Sequence, residues 1–432
     1  MANVNVDSII LYSILGFLVL ENAFEIYLGI RQIDLINNTK TVPIELQEEM
    51  TWDYILNRKR TAIRSITTKI IIKGVYCSIH AIELYFGLVT AIWILFKKLW
   101  QKTKSCQNEY CLTVGFLLCW GTYRFLLNIP ANVITNLYAV QQKHPLTTIS
   151  SSVLIYLWDT VAVVVFGVFV VYMKGRMGKF YYMFISLVEI ACRYILLVIS
   201  FHLLLPISEE HEKLPDGPVR DNITKLAKSQ GFNMEKFVVA NTYGIANHDF
   251  NAYTIETLIS RRIVLSKRFL IYESEGKISV REICAIVAHE LNHWKKSHSL
   301  LSQLELFVNV FITNYIALGL PSHFDVFYFR FPQDERPIMA AYTYAINYCS
   351  LPFVFTYKMI SLCISRLKEI DSDNFAACLG FAKDLIKALV KITIWSYSFP
   401  LTDPIYASRY FTHPPLLERV RNLQNYRNTT YF

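Results

Sequence analysis

The sequence predicts a polytopic membrane protein dominated by α-helix, with one small α+β domain set among its apolar segments. Three observations carry this expectation. Of its 432 residues 53% are hydrophobic and only 18% charged, with a mean hydropathy of +0.31, a balance unlike that of soluble domains. About seven apolar stretches are long enough for a bilayer, which takes roughly 20 residues per helix. A His-Glu-x-x-His sequence, residues 289–293, lies in the one large polar insert between them.

The apolar stretches fall at about 9–30, 70–97, 110–135, 152–173, 182–206, 300–320 and 340–364. Residues 1–8 hold no Lys or Arg, so the first stretch reads as a span and not as a cleaved signal peptide, which needs a basic leader. Several stretches carry charge: Glu21 and Glu25 in the first, Lys73, His80 and Glu83 in the second, Arg124, Asp159, and then Glu189 with Arg193. Charges facing lipid are costly. They either pair and lock helices together or face a water-filled chamber, and the sequence leaves both open. The connection Gln32 to Thr68, with Lys40, Arg58, Lys59, Arg60 and Arg64, reads as a cytosolic loop. The net charge of +9 fits basic loops against anionic lipid headgroups and not nucleic-acid binding. Nine cysteines include no CxxC pair. Cys106 and Cys111 are the one loop pair spaced to bridge, and the others read as reduced residues in apolar runs.

The chain thus divides into residues 1–206 (spans one to five), 207–299 (an insert read as cytosolic), 300–364 (spans six and seven) and 365–432 (a C-terminal segment). Within the insert, Asp221 to Gly231 has helical spacing. Phe237 to Asn241 and Arg262 to Leu265 read as short Val- and Ile-rich strands. Asn251, Ala252 and Tyr253 form a third, at an edge, where an extended peptide could pair.

His289 and His293 are four apart and share a helix face. Both imidazoles can reach one metal ion, while Glu290 can reach a water at its open position without being a ligand: the arrangement of a zinc hydrolase. Ser279 and Glu282 form a capping box, and Lys295 and Lys296 suit the C-terminal end of the helix. Zinc needs a third ligand. Residues 365–380 read as a helix ending at Gly380, and on it Glu369 and Asp373 share a face. Glu369 is the candidate ligand and Asp373 the candidate acceptor orienting a zinc histidine; the competing reading is a solvated acidic face that includes Asp371. His298, nine residues from His289, falls on the opposite face of a continued helix. Near the C-terminus, Pro414 and Pro415 suit a first helical turn capped by Thr412 or His413. His413 alternatively serves a reacting oxygen.

Together these features resemble the type I CAAX prenyl endopeptidases, integral-membrane zinc proteases that process prenylated protein C-termini. The resemblance rests on Asn251 to Tyr253, Arg262 to Leu265, the His289–His293 motif, the pattern from Ser365 to Asp373 and the His413 to Arg419 run. It implies one Zn2+ held by His289, His293 and Glu369, with Glu290 as base. It implies that Asn251, Ala252, Tyr253, His413 and Arg419 meet the substrate backbone or reacting carbonyl. It implies seven helices in a barrel around a hydrated chamber, a zincin-like catalytic domain, and prenylated proteins or peptides and membrane lipids as partners. It places the protein in the endoplasmic reticulum membrane and the contiguous inner nuclear membrane, with its active site on the cytosolic side.

The chain departs from the family pattern at Asn292, where Gly is usual, at Ser372, where Ala is usual, and at Thr254-Ile255-Glu256, which replace an aromatic- and Gly-rich turn. No departure removes a ligand or the base. The alternative function is a catalytically weak or inactive zinc-bound membrane scaffold or quality-control factor. An intramembrane site-2 protease is disfavoured by Lys295 and Lys296 beside the motif, and a transporter by the lack of an internal repeat.

Overall fold

The computed structural model describes residues 6–102, 108–135, 145–204, 210–241, 251–323, 331–332, 335 and 337–429. Among the described residues six α-helices precede the first strand: α1 (Val6–Asn38), α2 (Trp52–Phe86), α3 (Leu88–Gln101), α4 (Glu109–Thr135), α5 (Pro145–Met177) and α6 (Tyr181–Ile199). Among the described residues four runs are long and apolar enough to cross a membrane: Ser8–Asn38, Glu109–Thr135, Ser152–Leu204 and His298–Gly319. Two bent pairs raise the number to six, α2 with α3 at 57° and Ile338–Cys349 with Leu351–Cys378 at 53°. Each bend has a local cause. Gly87 takes a left-handed φ of +64, which glycine adopts without a Cβ clash. Pro352, in the first turn after the second bend, has no N–H to continue the helical ladder.

The run Ser152–Leu204 covers two of the expected spans. The rings of Phe169 and Phe184 lie 6.4 Å apart, whereas 15 residues of straight helix would separate them by about 22 Å. The chain therefore doubles back near Gly178, whose φ is +57. The expected loop from Gln32 to Thr68 is shorter than its charge suggested. α1 runs on to Asn38 and α2 begins at Trp52, because Arg58, Lys59, Arg60 and Arg64 are good helix formers. Cys106, one half of the Cys106–Cys111 pair, lies outside the described residues.

Contacts divide the chain into two compact units. The first takes Met1–Ile30, Arg64–Ala191 and Phe307–Tyr357. Its core centres on Leu84, Trp93, Phe116, Leu117, Ile185 and Tyr348. α4 and α5 approach closely there: a Cβ at Gly167 would stand 2.4 Å from Leu117 Cδ1. Several charges inside its apolar helices are paired. Glu83 accepts from Tyr123 (2.6 Å) and Tyr348 (2.8 Å), with His80 at 2.9 Å and Arg124 at 3.5 Å. Lys73 pairs with Glu25, and Asn314 donates to Glu189 at 2.8 Å. These contacts match the helix-locking reading of those charges: a buried carboxylate is tolerated when its oxygens are satisfied.

The second unit takes Arg31–Ile63, Cys192–Leu306 and Lys358–Phe432, so it contains both the insert and the C-terminal segment. Its elements begin with β1 (His211–Glu212), α7 (Pro218–Ser229), β2 (Phe237–Ala240), β3 (Ala252–Glu256), β4 (Arg261–Ser266), α8 (Lys267–Ser274) and α9 (Val280–Lys295). α10 (His298–Asn314) starts in it, and α11 (Ile338–Tyr344) belongs to the first unit. α12 (Leu351–Cys378) then supplies its C-terminal part, followed by α13 (Ala382–Trp395), α14 (Pro404–Tyr410) and α15 (Leu416–Thr429).

The sheet order is β1-β2-β4-β3, with β2 and β4 parallel and the outer pairs antiparallel. The inner strands carry apolar runs, Phe-Val-Val-Ala in β2 and Ile-Val-Leu in the middle of β4, as suits strands covered on both faces. The three expected strands appear within a few residues of their predicted limits. β3 is at the edge, as predicted, and among the described residues no strand lies on its outer side. β1, only two residues long, carries no periodic signal. α7, the sheet and α9 enclose one core through Ile223, Phe237, Ile263, Leu265, Ile283 and Val287.

Candidate metal centre and cavity

α9 is held in place independently of any ligand. The Ser279 hydroxyl accepts from the Glu282 N–H at 3.2 Å, and the Glu282 carboxylate accepts from the Ser279 N–H at 2.7 Å. This is the reciprocal box that the sequence predicts. Lys391 on α13 adds contacts of 2.9 Å to both Glu282 oxygens. Every residue from Glu282 to Asn292 is buried, so packing leaves His289 little freedom.

His289 and His293 bring their Nε2 atoms within 3.1 Å of each other. Glu369, from α12, places Oε2 at 3.4 Å from the first and Oε1 at 3.4 Å from the second. One ligand atom from each of the three lies within 4.8 Å of the others. A tetrahedral ion bound at about 2.0–2.1 Å has ligand-to-ligand edges of about 3.3–3.4 Å. The His–His spacing of 3.1 Å and the two His–Glu369 spacings of 3.4 Å, one to each carboxylate oxygen, lie close to that edge length. Among the described residues Glu369 Oε2 is also buried with no hydrogen-bond partner, and such an atom is costly unless a cation or donor meets it. The residues present therefore fit a divalent metal.

The electrostatics agree. Burial alone would push the His289 imidazole down, but the Asp373 and Glu369 carboxylates hold it up at about 10. A field that favours imidazolium also favours a metal cation in its place. Burial likewise works against the charged form of Glu369, and His289 and His293 outweigh it and hold the carboxyl far below its usual range.

Asp373, one turn beyond Glu369, places Oδ1 at 2.9 Å from His289 Nδ1. Arg419, from α15, forks onto the same carboxylate, Nε to Oδ2 at 2.8 Å and Nη2 to Oδ1 at 2.6 Å. Burial would raise Asp373; Arg419 and His289 pull it down to about 2. Asp373 thus stands where an acceptor for a metal-binding histidine is expected, and much of the Arg419 guanidinium is committed to it.

Glu290 is buried and faces a cavity of about 430 Å3 that also exposes His289, Glu369, Asn251, Ala252, His413 and Arg419. Burial raises its carboxyl above the ordinary range. The Thr254 hydroxyl donates to Glu290 Oε2 at 3.0 Å and lies 3.2 Å from its backbone carbonyl. Ala252 and Thr254 share one face of β3, as the two-residue period requires. Tyr253 points to the other face and packs with Ala240, Ile255 and Val264; it does not line the cavity. His413 stands at the cavity wall, 62% exposed, with Nε2 3.4 Å from Glu369 Oε2. Neither it nor Thr412 caps the following helix: the Arg419 N–H bonds to the Pro415 carbonyl, so α15 begins at Leu416.

Two features run against the sequence reading. His298 is not on a far face of α9. The helix ends at Lys295, Ser297 takes a φ of +53, and His298 turns back to put Nδ1 3.0 Å from His293 Nδ1. It stays outside the three-residue cluster. Burial and the neighbouring His293 push it down to about 4. Asp371, grouped with a solvated acidic face, accepts from Lys296 at 2.7 Å and Asn292 at 2.8 Å.

The departures from the family pattern also prove to be joined. Asn292 donates to the Ser372 hydroxyl at 3.1 Å, and both are buried. Two polar side chains thus meet where Gly and Ala are usual, the Ser372 hydroxyl accepting from Asn292 and donating to the Lys368 carbonyl. Thr254, another departure, is the residue that holds Glu290.

A model described as Peptidase family M48 matches residues 213–427. A protein of Arabidopsis thaliana named CAAX prenyl protease 1 homolog is 25% identical over 420 residues, covering 95% of this chain and 96% of that protein. CAAX prenyl protease 1 of Saccharomyces cerevisiae is 26% identical over 445 residues and covers 94% of each. The crystal structure of S. mikatae Ste24p aligns with a TM-score of 0.76 at 21% identity, over 98% of this chain and 100% of that one, and so shares the fold.

Proposed function

Since this chain belongs to peptidase family M48 and is a metalloprotease, we propose that it is a zinc endopeptidase acting on prenylated CaaX proteins. It removes the three residues that follow the prenylcysteine. The observation that carries this reading is the convergence of His289, His293 and Glu369, of which His289 and Glu369 line the cavity that Glu290 faces. Similarity along nearly the whole chain to proteins named CAAX prenyl protease supports the substrate class.

A single zinc ion held by His289, His293 and Glu369 supplies, when bound, a Lewis acid that polarises the scissile carbonyl and acidifies water. Glu290 takes the proton of the attacking water and passes it to the leaving amine. Asp373, fixed by Arg419, keeps His289 in the tautomer that leaves Nε2 free. The substrate adds as a strand along Asn251 to Tyr253 on the open edge of β3. His413 and Arg419 stand where the developing oxyanion forms. The proposal includes seven spans, counted with each bent pair as one and Ser152–Leu204 divided at Gly178. It also includes the barrel around a hydrated chamber that receives the lipid, in the endoplasmic reticulum and inner nuclear membranes with the site on the cytosolic side.

Thr254 touches the base and not the metal cluster. Thr254→Val keeps the shape of the side chain and removes the hydroxyl. It is expected to lower kcat roughly tenfold, about 1.4 kcal/mol, with KM unchanged, and Thr254→Ser to restore it; steady-state kinetics on the two variants check this. The substrate class is tested with a farnesylated CaaX peptide and its unfarnesylated counterpart, each with and without a zinc chelator. Cleavage that needs the lipid, stops with chelator and returns with added zinc is the expected result. Equal cleavage of both peptides contradicts the lipid requirement.

A further inference from the structure

We propose that His298 and Asp371 are positioning residues for His293, forming a relay that sets how tightly this chain holds its metal. The inference rests on the reading of His289, His293 and Glu369 as metal ligands.

His293 turns Nε2 towards His289 and Glu369 and Nδ1 towards His298 Nδ1 at 3.0 Å. Two ring nitrogens at that distance cannot both carry a proton, so one donates and the other accepts. A histidine that offers Nε2 to a cation carries its proton on Nδ1. His293 is therefore the donor and His298 the acceptor. The proton of His298 then sits on its Nε2, which faces Asp371 Oδ2 at 3.8 Å.

Asp371 is itself held by Asn292 on α9 (2.8 Å) and by Lys296 just past its end (2.7 Å). The arrangement depends on a break in the chain. Had α9 continued through residue 298, the five-residue step at about 100° each would have carried that side chain roughly 140° around the helix from His293. The left-handed Ser297 ends the helix and folds His298 back over the histidine it supports. Each motif histidine thus has its own partner. For His289 it is a carboxylate locked by arginine. For His293 it is an imidazole backed by a half-exposed carboxylate.

The test measures zinc affinity by competition with chelators of graded strength, on full-length protein in detergent, alongside kcat and KM. His298→Phe fills the space and removes the acceptor. It is expected to weaken zinc binding by roughly 10- to 100-fold. His298→Asn, which returns an acceptor oxygen, is expected to recover most of that loss; a role confined to packing predicts no such rescue. Asp371→Asn, at a half-exposed site, is expected to give a smaller weakening and keeps the test open if the Phe variant does not fold. Zinc affinity unchanged in the His298 and Asp371 variants, beside a zinc-loaded wild type, overturns the relay alone. A wild type that binds no zinc overturns the ligand reading, and the relay with it.

Discussion

Asp373→Ala is expected to destabilise the protein by about 3–5 kcal/mol and to loosen its metal at the same time. Asp373 is fully buried and Arg419 nearly so, and the two share a fork of 2.6 and 2.8 Å. Removing one member of such a pair strands the other charge away from water, which costs about that much. It also frees the His289 ring, whose Nδ1 loses its acceptor. Thermal unfolding in detergent, with and without zinc, reads the first effect, and zinc competition reads the second. Asp373→Ala combined with Arg419→Leu is expected to recover part of the stability and none of the metal affinity, because the stranded charge is gone but His289 stays unsupported. The pH dependence has a fixed sign. The folded carboxyl titrates at about 2, below the ordinary aspartate value of about 3.9. Its contribution is complete above that value and is lost as the pH falls towards 2.

Glu290→Gln is expected to lower kcat by roughly 100- to 10,000-fold, the span associated with a positioned general base. The amide keeps the shape, so KM and zinc content should stay near wild type. Glu290 is not one of the three convergent ligand groups, it faces the cavity beside them, and its one described side-chain hydrogen bond comes from Thr254. The substitution therefore separates proton transfer from metal holding. Substitution of His289, His293 or Glu369 removes both. Steady-state kinetics with the zinc content measured in parallel distinguishes the two outcomes.

What was legible in the sequence was what short-range pattern encodes. Ser279 and Glu282 announced the start of α9, and the i,i+4 spacing placed His289 and His293 on one face. Glu369 and Asp373 were a turn apart on a helix that Gly380 closes with a φ of +84. The Phe381 N–H bonds to Ala376 O and the Gly380 N–H to Ala377 O there, which is why a glycine was needed. Asn251 to Tyr253 read as an edge strand, and β3 is at the edge of the sheet.

What was not legible depends on approach between distant residues or on a break that residue type does not demand. Nothing about serine requires the left-handed turn at Ser297, so His298 was placed on a helix that in fact stops before it. Thr254 meets Glu290 only because β3 packs on α9. Asn292 and Ser372 looked like separate departures until the fold brought them together. The charged spans could not be decided because Glu83 draws its donors from residues as far apart as His80 and Tyr348. One signal was present and unused. Leu385, Leu389 and Ile392, at steps of four and three on α13, form an apolar stripe, and it lines the cavity.

The proposed activity turns on Glu290 working on a metal that His289, His293 and Glu369 hold. The most direct measurement is turnover of a farnesylated CaaX peptide by purified wild type and Glu290→Gln, with zinc quantified in the same samples. One zinc per chain in both, with release of the last three residues by the wild type alone, is the predicted result. Equal turnover by the two, or none by a zinc-loaded wild type, contradicts the claim, and the second outcome assigns the protein to the scaffold reading.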